Sequence, residues 1–154
     1  MKAKDLMKQP VVTVSANATV MAAARLMHEC GHGMLPVIGE AGEVVGVVDR
    51  MTLLRITLPK YAEDIGDLAF LPADFRAFEM RIGELGRRAV REVMRPCDIC
   101  ASEDTPLVEL AALMVLKRAD AVPIVQEGRL TGIVGVQDIV DEIVWPHFRR
   151  DAGS

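Results

Sequence analysis

Apolar positions along this chain recur with two different periods. Val20, Ala23, Ala24 and Met27 fall at i, i+3, i+4 and i+7, and Leu107, Leu110, Ala111 and Met114 repeat the spacing. Each set predicts a helix with one buried stripe. Short runs rich in Val and Ile predict strands at 11–14, 34–38 and 44–48, and again at 99–101, 121–125 and 130–134. The last two strands of each set are joined by a turn with glycine, Gly39-Glu40-Ala41-Gly42 or Gln126-Glu127-Gly128, so each pair reads as a hairpin. Helices over 51–56 and 138–144 close the two sets, the second stopped by Pro146. Thr19 is the expected N-cap of the first long helix and Gly31 its end. In the second long helix Thr105 is expected to cap, with Pro106 at the first helical position.

The two sets are copies. Met7 lies 87 positions before Met94, Leu35-Pro36-Val37-Ile38 lies 87 before Val122-Pro123-Ile124-Val125, and Gly46 lies 86 before Gly132. The lost residue falls in the hairpin turn, where deletion is best tolerated. A β-α-β-β-α unit of about 50 residues buries too little surface to stand alone. The expected fold is therefore α+β, with two such repeats packed about a pseudo-twofold axis. Repeat one spans 1–57, a helical linker 58–89, repeat two 90–146 and a tail 147–154. In the linker, Leu71, Phe75, Phe78, Ile82 and Leu85 form one apolar helical stripe after a loop at Asp64-Ile65-Gly66-Asp67. The reading favoured is an accessory helix on the chain's own core; the other is a dimerisation or effector-docking surface.

Charge and chemistry narrow the function. Net charge is −4, which argues against a phosphate backbone as the main partner. Arg76, Arg81, Arg87, Arg88, Arg91 and Arg95 interleave with Glu79, Glu84 and Glu92 and read as a solvated helix face. No apolar run is long enough for a membrane helix and the first residues lack a signal sequence, so a cytoplasmic protein is expected. Cys30, Cys97 and Cys100 are then expected as reduced thiols. His28-Glu29-Cys30-Gly31-His32 matches H-E-x-x-H, but glycines end the helix that a zinc site would need. Cys97 and Cys100 have C-x-x-C spacing, yet on a strand they would point to opposite faces. No metal is expected from either.

Asp5-Leu6-Met7, the helix ending Leu26-Met27, Leu35-Pro36-Val37-Ile38, and the two segments starting Gly46-Val47-Val48-Asp49 and Gly132-Ile133-Val134-Gly135 together resemble the cystathionine β-synthase (CBS) domain family. The resemblance covers about 3–56 and 90–145. It implies a regulatory module with no enzymatic activity, taking AMP, ADP, ATP or S-adenosylmethionine in clefts between repeats. It also implies a homodimer that acts on a separate effector protein. The family's signature is Gly, then hydrophobic residues, then Thr/Ser-x-x-Asp, the carboxylate meeting the ribose. Here Asp138 is in place with Gly135 in the Thr/Ser position, while Asp49 and Thr52 occupy those positions in swapped order. The second cleft, which the resemblance favours, is expected to use Ile99, Cys100, Val122, Pro123, Gly132, Gly135 and Asp138. The first is expected to use Val12, Thr13, Met34, Pro36, Gly46, Asp49 and Thr52. The family's phosphate-binding positions hold Gly33, Met34, Asp120 and Ala121, which points to a nucleoside-like or weakly charged ligand. Two alternatives stand beside this. Asp138 also fits as a carboxylate that favours its helix dipole, and the whole chain fits a structural interaction module whose clefts bind nothing.

Overall fold

The computed structural model describes residues 1–59 and 75–153. Leu71 and the expected loop at Asp64 to Asp67 lie outside them.

The first repeat runs α1 (Ala3–Leu6), β1 (Val14–Ser15), α2 (Val20–Cys30), β2 (Met34–Ile38), β3 (Val44–Asp49) and α3 (Arg50–Thr57). Thr19 caps α2 by accepting a hydrogen bond from the Ala22 N–H at 3.1 Å. Gly31 ends that helix in the left-handed region, at φ 70°. Helix α4 (Phe75–Leu85) follows, then a 3-10 turn at Val90–Glu92 and β4 (Arg95–Pro96). The second repeat continues with α5 (Leu107–Lys117), β5 (Ala121–Gln126), β6 (Arg129–Gly135) and α6 (Val136–Ile139). A π-helical stretch, Val140–Val144, leads into α7 (Trp145–Ala152). Both hairpins form where the sequence puts them, and the tighter β5–β6 turn has positive φ at Glu127 and Gly128.

Three sequence expectations are corrected. Pro146 does not end the last helix: helical backbone persists from Val136 to Ala152. The Trp145 N–H reaches back to Val140 O, a wider turn that makes room for a proline ring one residue later. Thr105 does not cap α5. Its hydroxyl accepts from the Ser102 N–H, and Pro106, 87 positions after Thr19, takes the N-cap position. The leading strands are shorter than expected: β1 keeps two residues, and its counterpart is a single parallel bridge of Ala101 with Ile124.

Those strands shorten because the chain changes repeat on the way in. Arg95 and Pro96 pair with Val47 and Gly46, so β4 is an edge strand of the first repeat's sheet. Lys8, 87 positions before Arg95, bridges to Ile133 in the second repeat. The residues before them cross over as well. Ala3 donates to Thr105 O and Leu107 to Met1 O, while Val90 donates to Ala18 O and Val20 to Arg88 O. Apolar packing follows the same exchange. Ala3, Leu6 and Met7 pack with Leu107, Leu110, Met114, Val122, Ile124 and Val134. Val90 and Met94 pack with Val14, Ala23, Met27, Leu35, Val37 and Val48. A third cluster, Met34, Val47, Ile99 and Ala119, lies between the repeats. Burial of these aliphatic faces is the main stabilising term, at about 25 cal/mol per Å² of apolar area.

Helix α4 lies against α3, and Arg81 donates to Leu58 O at 3.3 Å. Only Phe78 and Leu85 are half-buried, and Phe75, Met80 and Ile82 stay exposed. The accessory helix therefore covers little of the core. Arg95 is not part of a solvated helix face, because it belongs to β4.

Candidate ligand-binding cleft

Residues 8–12 leave the second repeat's sheet and pass along the seam toward β1 in the first. Where they cross, they wall a cleft of about 780 Å³. From the first repeat come Lys8, Val12, His32, Met34 and Arg50. From the second come Asp120, Ala121, Ile133, Gly135, Asp138 and Val140. The volume is in the range of pockets that bury a small organic ligand.

The start of α6 sets the polar end of this cleft. Gly135 is the N-cap, and its N–H donates to Asp138 Oδ2 at 2.8 Å. A Cβ on Gly135 would stand 3.3 Å from that oxygen, a tight contact that would press on the carboxylate. Asp138 Oδ1 takes an ion pair from Lys8 Nζ at 2.5 Å. The carboxylate is 12% exposed and the lysine 71%. That hydrogen bond and the charge of Asp138 hold the Lys8 ammonium above its ordinary value.

A second carboxylate site is related to the first by the repeat. Asp49 is the N-cap of α3 and accepts from the Thr52 N–H at 2.7 Å and the Thr52 hydroxyl at 2.8 Å. Its other oxygen takes Arg95 Nη1 at 2.9 Å. Arg95 Nη2 donates to Lys117 O at 2.8 Å, tying β4 to the end of α5. Burial works to raise the Asp49 carboxyl, but the bonds from Thr52 and Arg95 outweigh it and hold the group below its ordinary value. Asp49 and Thr52 are both buried at this end of the seam, and neither lines the open cleft.

The candidate residues regroup accordingly. Val12, Met34, Gly135 and Asp138 share the open cleft, although the sequence reading divided them between two. The division failed because each repeat's leading segment serves the opposite repeat. Ile99 is fully buried in the cluster between repeats rather than lining a cavity. Val122, Pro123 and Pro36 are core residues of β5 and β2. Gly132 is covered by Met7, whose Sδ would lie 2.7 Å from an added Cβ. Gly46 is covered by β4, where Arg95 O would lie 2.4 Å from one. Thr13 is half-buried and outside the cleft lining.

Cys100 is bonded to Cys97, with their Cα atoms 5.7 Å apart, so the expectation of three reduced thiols holds only for the exposed Cys30. The reason is local: residues 97–99 form a turn rather than a strand, which brings the sulfurs to one side. His28 and His32 are separated by the break at Gly31, and only His32 reaches the cleft. Among the described residues no group of three or more His, Cys, Asp or Glu could hold a metal ion. No helix among them is long and apolar enough to cross a membrane.

The expectation of weak phosphate chemistry is also revised. Lys8, Arg50 and His32 all line the cleft, opposite Asp120 and Asp138. Lys8 was legible as the counterpart of Arg95 under the 87-residue shift; Arg50 sits one residue beyond the Asp49 cap.

Two β-α-β-β-α copies joined along a seam, with a cleft at the start of a repeat's closing helix, define a tandem-repeat fold. The CBS domain family matches residues 3–58 and 90–144, and the chain belongs to it. Inosine-5'-monophosphate dehydrogenase of Methanocaldococcus jannaschii is 28% identical over 97% of this chain. The chain spans 25% of that relative's length. The fold is also that of CBSX2, solved in complex with AMP, at TM-score 0.70 and 21% identity over 95% of this chain and 98% of that one. The CBS domain pair of protein MJ0100, solved with 5'-methylthioadenosine and S-adenosyl-L-methionine, gives TM-score 0.69 and 22% identity over the same shares.

Proposed function

We propose that this chain is a regulatory, non-enzymatic module that takes one adenosine-containing ligand in the Asp138 cleft. The observation that carries this reading is the Asp138 carboxylate, partly exposed, facing a cleft that also holds Lys8, Arg50 and His32. A ribose diol can donate to Asp138 Oδ1 in place of Lys8. The released ammonium then meets a phosphate or carboxylate of the ligand, beside Arg50. Val12, Met34, Ala121 and Ile133 offer an apolar surface for a base. AMP, ADP, ATP and S-adenosylmethionine share these parts, and AMP and S-adenosyl-L-methionine occupy proteins of the same fold. Ligand binding across the seam biases the relative setting of the two repeats, which is the signal. Met51 and Leu54 of α3 and Val140, Trp145 and Phe148 near the C-terminus are exposed apolar residues suited to a homodimer or an effector protein.

The buried Asp49 site favours a structural role for that half. The interaction-module reading, in which neither cleft binds a ligand, is the opposing outcome of the test.

The test is a thermal-shift and calorimetric titration with AMP, ADP, ATP and S-adenosylmethionine. A ligand at a hundredfold excess over Kd adds about 2.7 kcal/mol. Asp138→Asn keeps the size of the side chain and should abolish the shift at unchanged fold. Absence of a shift with every ligand, or an equal shift in the variant, overturns the assignment.

A further inference from the structure

We propose that Cys97 and Cys100 form a dithiol–disulfide latch that keeps the Asp49 end of the seam closed. The bonded pair encloses Asp98 and Ile99 in a small ring. Asp98 Oδ2 pairs with Lys117 Nζ at 3.0 Å, and Lys117 O is the acceptor for Arg95. Ile99 is fully buried against Met34 and Val47 of one repeat and Ala119 of the other. Immediately beyond the ring, Ala101 N–H donates to Pro123 O and Ala101 O accepts from Val125 N–H. The ring thus holds an ion pair and an apolar plug between two anchored points, β4 and the Ala101 bridge.

The repeat supplies an internal control. Residues 97–100 correspond to 10–13, where Pro10 and Thr13 stand in place of the cysteines. There Val12, the counterpart of Ile99, lines an open cleft instead of plugging one. The covalent link is one chemical difference between an open end and a closed end of the same seam, beside the different cations and caps at the two ends. Both cysteines are half-buried, and the ring spans one segment already tied at each side, so its opening loosens that segment and not the whole fold.

The chemistry needs a thiol donor. A donor thiolate attacks one sulfur of the pair, the Cys97 to Cys100 bond breaks, and a mixed disulfide forms. A second donor thiol displaces it. The donor leaves as a disulfide, and the two cysteines take up two electrons and two protons. Reduced, the segment is free to follow the path of 10–13, and Ile99 can withdraw from the seam.

The experiment uses the whole chain and needs no ligand. Native protein held in thiol-free, air-equilibrated buffer should show one reactive thiol, Cys30, and three after dithiothreitol. On reduction, hydrogen exchange at the Ala101 and Val125 amides should accelerate about tenfold or more, with β2 and β3 unchanged. The Cys97→Ser/Cys100→Ser variant should match the reduced wild type. Three outcomes each overturn the proposal: exchange at Ala101 and Val125 that ignores redox state, three reactive thiols in thiol-free, air-equilibrated buffer, or a pair that stays bonded in excess dithiothreitol. Reduction of wild type keeps the test decisive should the double variant fail to fold.

Discussion

The two ends of the seam are built from matching positions and end in opposite states. At each end a cation from one repeat's leading segment reaches a carboxylate at the start of the other repeat's closing helix. At one end the pair is Arg95 with Asp49, side chains 24% and 9% exposed; at the other it is Lys8 with Asp138, 71% and 12% exposed. The guanidinium divides its donors between Asp49 and Lys117 O, so it crosslinks. The ammonium is a point charge in solvent and can be displaced. Carboxylate position differs too. Asp49 is the N-cap and its second partner is Thr52, whereas Asp138 sits three residues inside, behind a glycine N-cap. An inward carboxylate and a bare N-cap leave room for a ligand. A capping carboxylate and a hydroxyl close it.

The largest way to break this comparison is Arg95→Met. It leaves the buried Asp49 with one partner removed and Lys117 O without its donor. A loss of about 2–3 kcal/mol is expected, at the lower end for a broken buried pair because Arg95 is partly exposed. Thermal unfolding should show a fall of about 5–10 °C. A change no larger than that of Lys8→Met would mean the Asp49 end is not a crosslink.

Next come the paired glycines. Gly46→Ala forces a methyl against the backbone carbonyl of Arg95, and about 2 kcal/mol or more should be lost in urea unfolding. Gly132→Ala presses on Met7 Cβ and Cγ at 2.9 Å as well as Sδ at 2.7 Å, so about 1–2 kcal/mol is expected, less than at Gly46 because no backbone atom is struck. Equal losses would show that β4 and the Met7 segment cover their glycines alike.

Acid titration follows. The folded Asp49 carboxyl lies below its unfolded value of about 3.8, so its stabilisation is complete above that value. It is lost as pH falls through the folded value. Asp98 and Asp104, lowered by Lys117 and by Lys2 and Lys4, act in the same direction but are exposed and screened by salt. Arg95→Met should flatten the acid limb of stability against pH, and that flattening should persist at high salt.

Smallest is Lys8→Met, whose thermal midpoint should barely move near neutrality because the pair is exposed. The raised Lys8 ammonium contributes below its ordinary value of 10.5, and that contribution fades as pH rises beyond it. The alkaline limb of wild type and variant should therefore converge.

Much of this architecture was readable from the chain. The 87-residue shift fixed both hairpins, both long helices and the Gly31 stop, because periodicity and caps act locally. The placement of residues 1–8 and 88–95 was not readable. A two-residue edge strand pairs equally well with either sheet, and nothing in Lys8 or Arg95 says which repeat receives it. That single ambiguity misassigned the cleft residues: Val12 was grouped with Asp49, while the fold puts it with Asp138. The disulfide was missed for a different reason. Residues 97–100 were read as strand, where cysteines three apart face opposite ways, and the turn they form brings the sulfurs together. Pro146 misled through a general rule that a wider helical turn evades.

The crossing of the leading segments also bears on how such a chain can be divided. A cut in the linker separates two sequence copies but no folded body. Each fragment would present a short arm that nothing receives and a vacant groove where its neighbour's arm belongs. Two identical copies of one repeat could complete themselves only by trading arms, so pairing is written into the unit before any ligand arrives.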